Sequence, residues 1–187
     1  MRPSFRAATY TTLFGLLAVT GMRVGEATRL GRDDLDDRAG LLLVKRSKFT
    51  KTRLLPLHPS VLSVLTSYAR QRDRLRPRPK TATFFVSTAG TPLIYNNVQA
   101  VFGQLTTDTT AWPSRPRRAR IHGLRHSFAV ATLLDWYQTG VDVDARLPLL
   151  SAYLGHVDPA ATYWYLQAAP ALLVLAAQRL DAIGQAP

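Results

Sequence analysis

Apolar residues recur at helical spacing from Ser4 to Thr20, at Phe5, Ala8, Leu13, Leu16, Leu17 and Val19, and Thr20-Gly21 then punctuates the chain. A short second helix, Val24 to Leu30, is predicted to follow. Asp33, Asp34, Asp36 and Asp37 crowd a turn, after which Leu41-Leu-Leu-Val44 reads as a strand and Arg53-Leu-Leu-Pro-Leu57 as its partner, with a basic hairpin tip from Lys45 to Arg53 between them. Pro59 suits a helix start, and Val61, Leu62, Val64 and Leu65 carry that helix to about Arg72. Arg70 to Lys80 alternates Arg with Asp, Leu and Pro and reads as an exposed basic loop. Thr83-Phe-Phe-Val86 reads as a third short strand and Asn96 to Leu105 as a helix. Thr106 to Arg120, rich in Thr, Arg and Pro, reads as a mobile connection. Helical patterning returns over Leu124 to Tyr137, Ala145 to Leu154 and Pro159 to Leu166, and Pro170 opens a last apolar helix, Ala171 to Ile183. No internal repeat is visible. The sum is an α+β chain, mainly helical, with one small three-stranded sheet.

Composition narrows the chemistry. The 187 residues hold 47% hydrophobic positions, enough for a substantial core and against disorder. Lys+Arg 24 against Asp+Glu 12 leaves a net charge of +12, which asks for a polyanionic partner: nucleic acid or an anionic membrane surface. Lysine occurs only at 45, 48, 51 and 80, so the basic residues are overwhelmingly arginine, whose fork pairs with phosphate bidentately. The absence of cysteine excludes thiol catalysis, disulfides and cysteine-ligated zinc, and four scattered histidines with a single glutamate argue against a metal cage; neither a metal nor another cofactor is expected. Arg2 and Arg6 ahead of the apolar run 13–19 imitate a signal peptide, but the run is short and no small-x-small cleavage site follows. No stretch approaches the ~20 apolar residues of a membrane span. The expectation is a soluble cytoplasmic protein.

Three separated segments combine residue types that phosphate chemistry requires. Thr20-Gly-Met-Arg-Val-Gly-Glu26 sets Arg23 just past a glycine turn, with Glu26, the only glutamate in the chain, one helical turn later. An exposed ion pair is the bland alternative. His122-Gly-Leu-Arg125 is predicted to project an imidazole and a guanidinium from one helix face, where both can donate to one oxyanion, although alone it is no more than a solvated pair. Leu154-Gly-His156 places a histidine after a helix-ending glycine, and Tyr165 follows nine positions later in an aromatic cluster that would also suit a core. Together two arginines, two histidines and a tyrosine suit attack by a phenol on a phosphodiester.

These segments resemble the catalytic domain of the tyrosine recombinases, also called the phage integrase family. TGMRVGE is similar to the family's first-arginine box, HGLRHSFA to its HxxR box, and LGH with Tyr nine positions on to its closing box; order and spacing agree over about residues 8 to 180. The family's hairpin pattern GKxxKxRxLPL resembles 47–57, which puts the catalytic lysine at Lys48, with Lys51 as the alternative because Ser47 and Phe49 stand where glycines are usual.

The resemblance implies an antiparallel three-stranded sheet within a mainly helical catalytic domain, and a site-specific DNA recombinase of integrase or transposase type. Tyr165 would be the nucleophile that forms a 3′-phosphotyrosine, with Tyr163, which points about 200° away on a helix, as its competitor. Arg23 and Arg125 would clamp the phosphate, Lys48 would protonate the leaving 5′ oxygen, His122 would act as general base or proton relay, and His156 would donate to the phosphate. Glu26 would orient Arg23 or His122. Lys45, Arg46, Lys51, Arg53, Arg117, Arg118 and Arg120 are expected at the DNA backbone, and Arg70 to Lys80 either there or merely in solvent. Trp136 and Trp164 read as core, His126 as a neighbour of the HxxR box without a role, and His58 as a solvated turn residue. The expected partner is double-stranded DNA, bound as a homo-tetramer by a chain that is monomeric without DNA, in the cytoplasm and at the bacterial nucleoid. Residues 1–187 read as a single catalytic domain without the family's N-terminal core-binding domain, its segment 170–187 packing in cis or docking in trans on a neighbouring protomer. Two rival functions stay open: relaxation of DNA by a type IB topoisomerase, which uses a similar residue set, and a non-catalytic DNA-binding remnant of a mobile element.

Overall fold

The structure is a computed structural model that describes residues 4–45, 52–107, 120–156, 162 and 165. Helix α1 (Phe5–Thr20) opens on Ser4, whose hydroxyl accepts from the Ala7 N–H at 3.2 Å, and closes on Gly21, which takes the left-handed conformation (φ 59°) that glycine adopts without a Cβ clash. Helix α2 (Val24–Thr28) follows, then one 3-10 turn (Arg32–Asp34). Strands β1 (Leu35–Asp36), β2 (Leu41–Val44) and β3 (Arg53–Pro56) form an antiparallel sheet in the order β1-β2-β3, with Leu35 opposite Leu42 and Val44 opposite Arg53. Helices α3 (Pro59–Leu75), α4 (Tyr95–Thr107), α5 (Gly123–Gln138) and α6 (Val143–Leu154) complete the described elements.

The chain divides into two compact units, residues 1–125 and 126–187. In the first, α1 packs on α3: Leu13, Leu16 and Leu17 are buried with Leu65, Tyr68 and Ala69, and the Tyr68 and Thr9 hydroxyls lie 3.2 Å apart. Phe14 of α1 meets Phe102 of α4 edge-on, ring centroids 5.3 Å apart. In the second, Ala129 and Leu133 of α5 pack with Val143, Leu147, Leu150 and Leu154 of α6. Trp136 packs half-buried against that cluster, as a core residue should. Asp142 caps α6 by accepting from the Ala145 N–H, and Gly155 ends it in the left-handed conformation (φ 71°).

Two sequence expectations need correction. The third strand is Leu35–Asp36, within the acidic turn, and Thr83–Val86 is no strand: it pairs only through isolated bridges, Gly31 with Thr83 and Val86 with Pro92. Phe84, Phe85 and Val86 are all fully buried, so this segment threads the core with every side chain enclosed, and Tyr68 lies against both phenylalanine rings at 5.5 and 5.3 Å. The acidic turn folds instead because the Asp36 carboxylate accepts from the Arg38 and Ala39 N–H groups and Gly40, at φ 67°, turns the chain back into β2. The second correction concerns 70–75, which is the last stretch of α3 and not an exposed loop. Arg72 is 4% exposed, with Nη1 on the Asp73 carboxylate at 2.6 Å and Nη2 on the Thr83 carbonyl at 2.8 Å. Beyond the helix, the Arg76 guanidinium donates to the Leu75 and Thr88 carbonyls.

Candidate active site

In the first unit the site grows from the end of α1. Gly21 stops the helix, and Arg23 becomes the N-cap of α2, its backbone N–H donating to Glu26 Oε2 at 3.0 Å while its Nη1 reaches Oε1 at 3.1 Å. The expected pairing of Glu26 with Arg23 is therefore present. Glu26 is buried, its side chain only 2% exposed, and it receives a second guanidinium: Arg53, at the start of β3, donates through Nη1 to Oε1 at 3.1 Å and through Nη2 to Oε2 at 2.8 Å. Burial by itself raises the Glu26 pKa. The hydrogen bonds and charge of Arg53, followed by the backbone N–H and charge of Arg23, outweigh it, and the carboxyl titrates below its ordinary 4.5.

Arg125, 3% exposed in the first turn of α5, donates through Nη1 to the Gly21 carbonyl at 2.8 Å. This bond ties the HxxR segment to the same turn that presents Arg23. His122 itself stands one residue ahead of the helix. It lies in the turn before α5, where Gly123, Leu124 and Arg125 donate to the carbonyls of Arg120, Ile121 and His122 in succession, and it is exposed where Arg125 is buried. Arg120, also exposed, begins that turn.

Lys45, directly after β2, pairs with Asp34, whose other oxygen accepts from the Gly31 N–H at 2.8 Å. Arg46, Lys48, Lys51, Arg117, Arg118, Tyr163 and Trp164 lie outside the described residues, as do the hairpin tip, most of the 106–120 connection and of the 159–166 helix, and the 170–187 segment. His58 caps α3, its Nδ1 accepting from the Ser60 N–H.

In the second unit, Tyr165 is helical, 5% exposed, and belongs to the α5–α6 core cluster. His156, just past the Gly155 cap, has Nδ1 2.7 Å from the Thr162 hydroxyl, and its ring stacks on Tyr165 with centroids 6.0 Å apart. His126 lies on Tyr165 as well, at 5.4 Å. Tyr165 thus packs as the core reading of the aromatic cluster expected.

Two contacts escaped the sequence reading. Arg53 was expected at a DNA backbone, yet β3 alternates so that Arg53 and the fully buried Leu55 point to the same face, a period-2 signal visible in Arg53-Leu-Leu-Pro. His126 was set aside as a bystander; its closeness to Tyr165 comes from tertiary packing and left no local signal.

The phage integrase family model matches residues 3–171. The Sinorhizobium fredii protein y4rE, which carries an integrase/recombinase name, is 42% identical over 93% of this chain and 56% of its own length. The tyrosine recombinase XerD of Staphylococcus saprophyticus is 30% identical over 82% of this chain and 48% of its own. Among solved structures, XerA superposes with a TM-score of 0.72 at 22% identity, covering 96% of this chain and 58% of XerA. XerH site-specific recombinase, in a post-cleavage complex with a palindromic difH substrate, gives 0.72 at 24% identity over 98% of this chain and 47% of its own. These two support the fold. The chain spans about half the length of the curated relatives it matches.

Proposed function

Since the chain belongs to the phage integrase family, we propose that it cleaves and rejoins DNA strands as a site-specific recombinase, through a covalent tyrosine–DNA intermediate. The observation that carries this reading is the bond from Arg125 to the Gly21 carbonyl: residues 104 positions apart along the chain bring the second arginine onto the turn that presents the first, as a two-guanidinium phosphate clamp requires.

In the proposed reaction the Tyr165 phenol oxygen attacks the scissile phosphorus, a 3′-phosphotyrosine forms, and a 5′ hydroxyl leaves. A 5′ hydroxyl of the partner strand then reverses the step, so the bond energy is conserved and no nucleotide cofactor is consumed. Arg23 and Arg125 offset charge on the non-bridging oxygens, and Glu26 holds Arg23 at its cap. His122 relays the phenol proton, and the exposure of its turn suits a residue that must meet DNA. His156 donates to the phosphate, and its stacking on Tyr165 supports a shared role. Lys48 protonates the leaving oxygen. Arg46, Lys51, Arg117, Arg118 and Arg120 contact the DNA backbone, and a homo-tetramer assembles on DNA. Among the described residues no helix is long and apolar enough to cross a membrane.

The test is a pool of nicked duplexes of randomised sequence, from which the strand beyond the nick escapes after cleavage and traps the protein on DNA. Wild-type chain should yield a covalent adduct on a denaturing gel. Tyr165→Phe should yield none, with affinity for intact duplex unchanged, because only the nucleophilic oxygen is removed. An adduct retained by Tyr165→Phe and lost in Tyr163→Phe would reassign the nucleophile.

A further inference from the structure

We propose that Arg53 is a positioning residue for Arg23 rather than a DNA contact, an inference that rests on the strand-transfer function above. Its guanidinium forks onto both oxygens of Glu26, at 3.1 and 2.8 Å, from a side chain only 12% exposed. A cation so placed is directed inward. Arg23 meets the same carboxylate from the other side with one side-chain bond and one backbone bond, and remains 29% exposed.

The charge count gives the arrangement its purpose. Among the described residues, two guanidiniums share one buried carboxylate, so these three side chains together carry one excess positive charge, and the exposures put it on the Arg23 side. With Arg53 removed, Glu26 would neutralise Arg23 one for one and draw its fork inward to replace the lost bonds, because a buried carboxylate cannot be left half-satisfied. A phosphate arriving at Arg23 would then meet a compensated ion pair.

The same bond anchors the hairpin that the family resemblance makes the carrier of the catalytic lysine. Arg53 stands opposite Val44 at the last pair of the β2–β3 ladder, and Lys45, the next residue on the other strand, is held by Asp34, itself 5% exposed. Both strands are thus pinned to buried carboxylates at this last pair. Arg53 in this way links the geometry of the first arginine to that of the hairpin.

The experiment compares Arg53→Met and Arg53→Lys with wild type in the 187-residue chain, using the nicked randomised duplexes for cleavage at saturating DNA and an intact duplex for affinity against salt. Arg53→Met should slow saturated adduct formation by about 10²-fold, the scale of a misplaced catalytic group. Affinity and its salt slope should fall by no more than the one phosphate contact that a compensated Arg23 gives up, so the saturated rate is the deciding readout. Adding Glu26→Gln to Arg53→Met should recover cleavage relative to Arg53→Met alone, since removing the carboxylate returns the excess charge to Arg23; a purely additive loss would count against the mechanism. A salt slope shallower by ~0.9 with an unchanged saturated rate would make Arg53 a phosphate contact and overturn the proposal. Should Arg53→Met fail to fold by circular dichroism, Arg53→Lys decides by the same two readouts: a slower saturated rate supports the proposal, and an unchanged rate with a shallower slope sinks it. If wild type itself forms no adduct, the strand-transfer function fails and this inference with it; an adduct from wild type separates the two.

Discussion

Glu26 is the residue on which the first half of the site turns, and its titration is open to measurement. Its folded pKa lies below the ordinary 4.5 because Arg53 and Arg23 favour the charged form more than burial disfavours it. A depressed carboxylate pKa contributes stability that is fully present above 4.5 and is lost as the pH falls through the folded value. Glu26→Gln should therefore be less stable than wild type at neutral pH, and the gap should narrow on acidification. Urea denaturation from about pH 6 to about pH 3 measures it; a gap that does not change with pH would mean the carboxylate's charge is not what stabilises the cluster. The Arg23–Glu26 half of this cluster was legible in the sequence, since three positions at a helix start bring the two side chains together. The Arg53 half was not, because the two residues are 27 positions apart and only the closed sheet brings them within reach.

Among the elements, α3 and the buried segment 83–86 depend on each other. That segment has no strand ladder, only isolated bridges and scattered side-chain bonds, and its Thr83 carbonyl takes its donor from the Arg72 side chain. Removing that donor inside a protein leaves the desolvated carbonyl unpaired and opens space around Asp73. Arg72→Met, which keeps much of the side-chain volume, should cost about 2 kcal/mol in urea denaturation; a loss under about 0.5 kcal/mol would class Arg72 with ordinary surface positions. The alternation of Arg with other residues over 70–80 looked like a solvated loop, because periodicity cannot distinguish an arginine that snorkels from one that is enclosed. Only the carbonyl and carboxylate waiting inside the fold make that distinction.

For the molecule as a whole, the net charge of +12 governs encounter with a polyanion. Several arginines are committed internally: Arg72 to Thr83 and Asp73, Arg32 to Asp73, Arg53 to Glu26. If the chain binds DNA as proposed, its phosphate contacts come from fewer residues than the composition suggests. Affinity for duplexes of unrelated sequence should fall linearly on a log–log plot against salt, with a slope of ~0.9 per phosphate neutralised. Arg120→Ala, at an exposed turn, should make that slope shallower by about one contact, whereas Arg72→Met should leave it unchanged. A slope insensitive to Arg120 would remove this turn from the DNA surface.

The described helices, the hairpin strands β2 and β3 and the family motifs were determined by the sequence itself, because each is written in neighbouring residues: Ser4 and Gly21 bracket α1, apolar runs mark the strands, and Gly155 stops α6 before His156. Local spacing carries such signals without help from the rest of the chain. Tertiary structure alone decided that Phe84, Phe85 and Val86 are enclosed, that Arg125 reaches back to Gly21, and that Arg53 serves a buried glutamate. Each of these depends on a partner far away in sequence, and a side chain's partner is set by what burial leaves unsatisfied, a quantity that exists only once the chain has closed on itself.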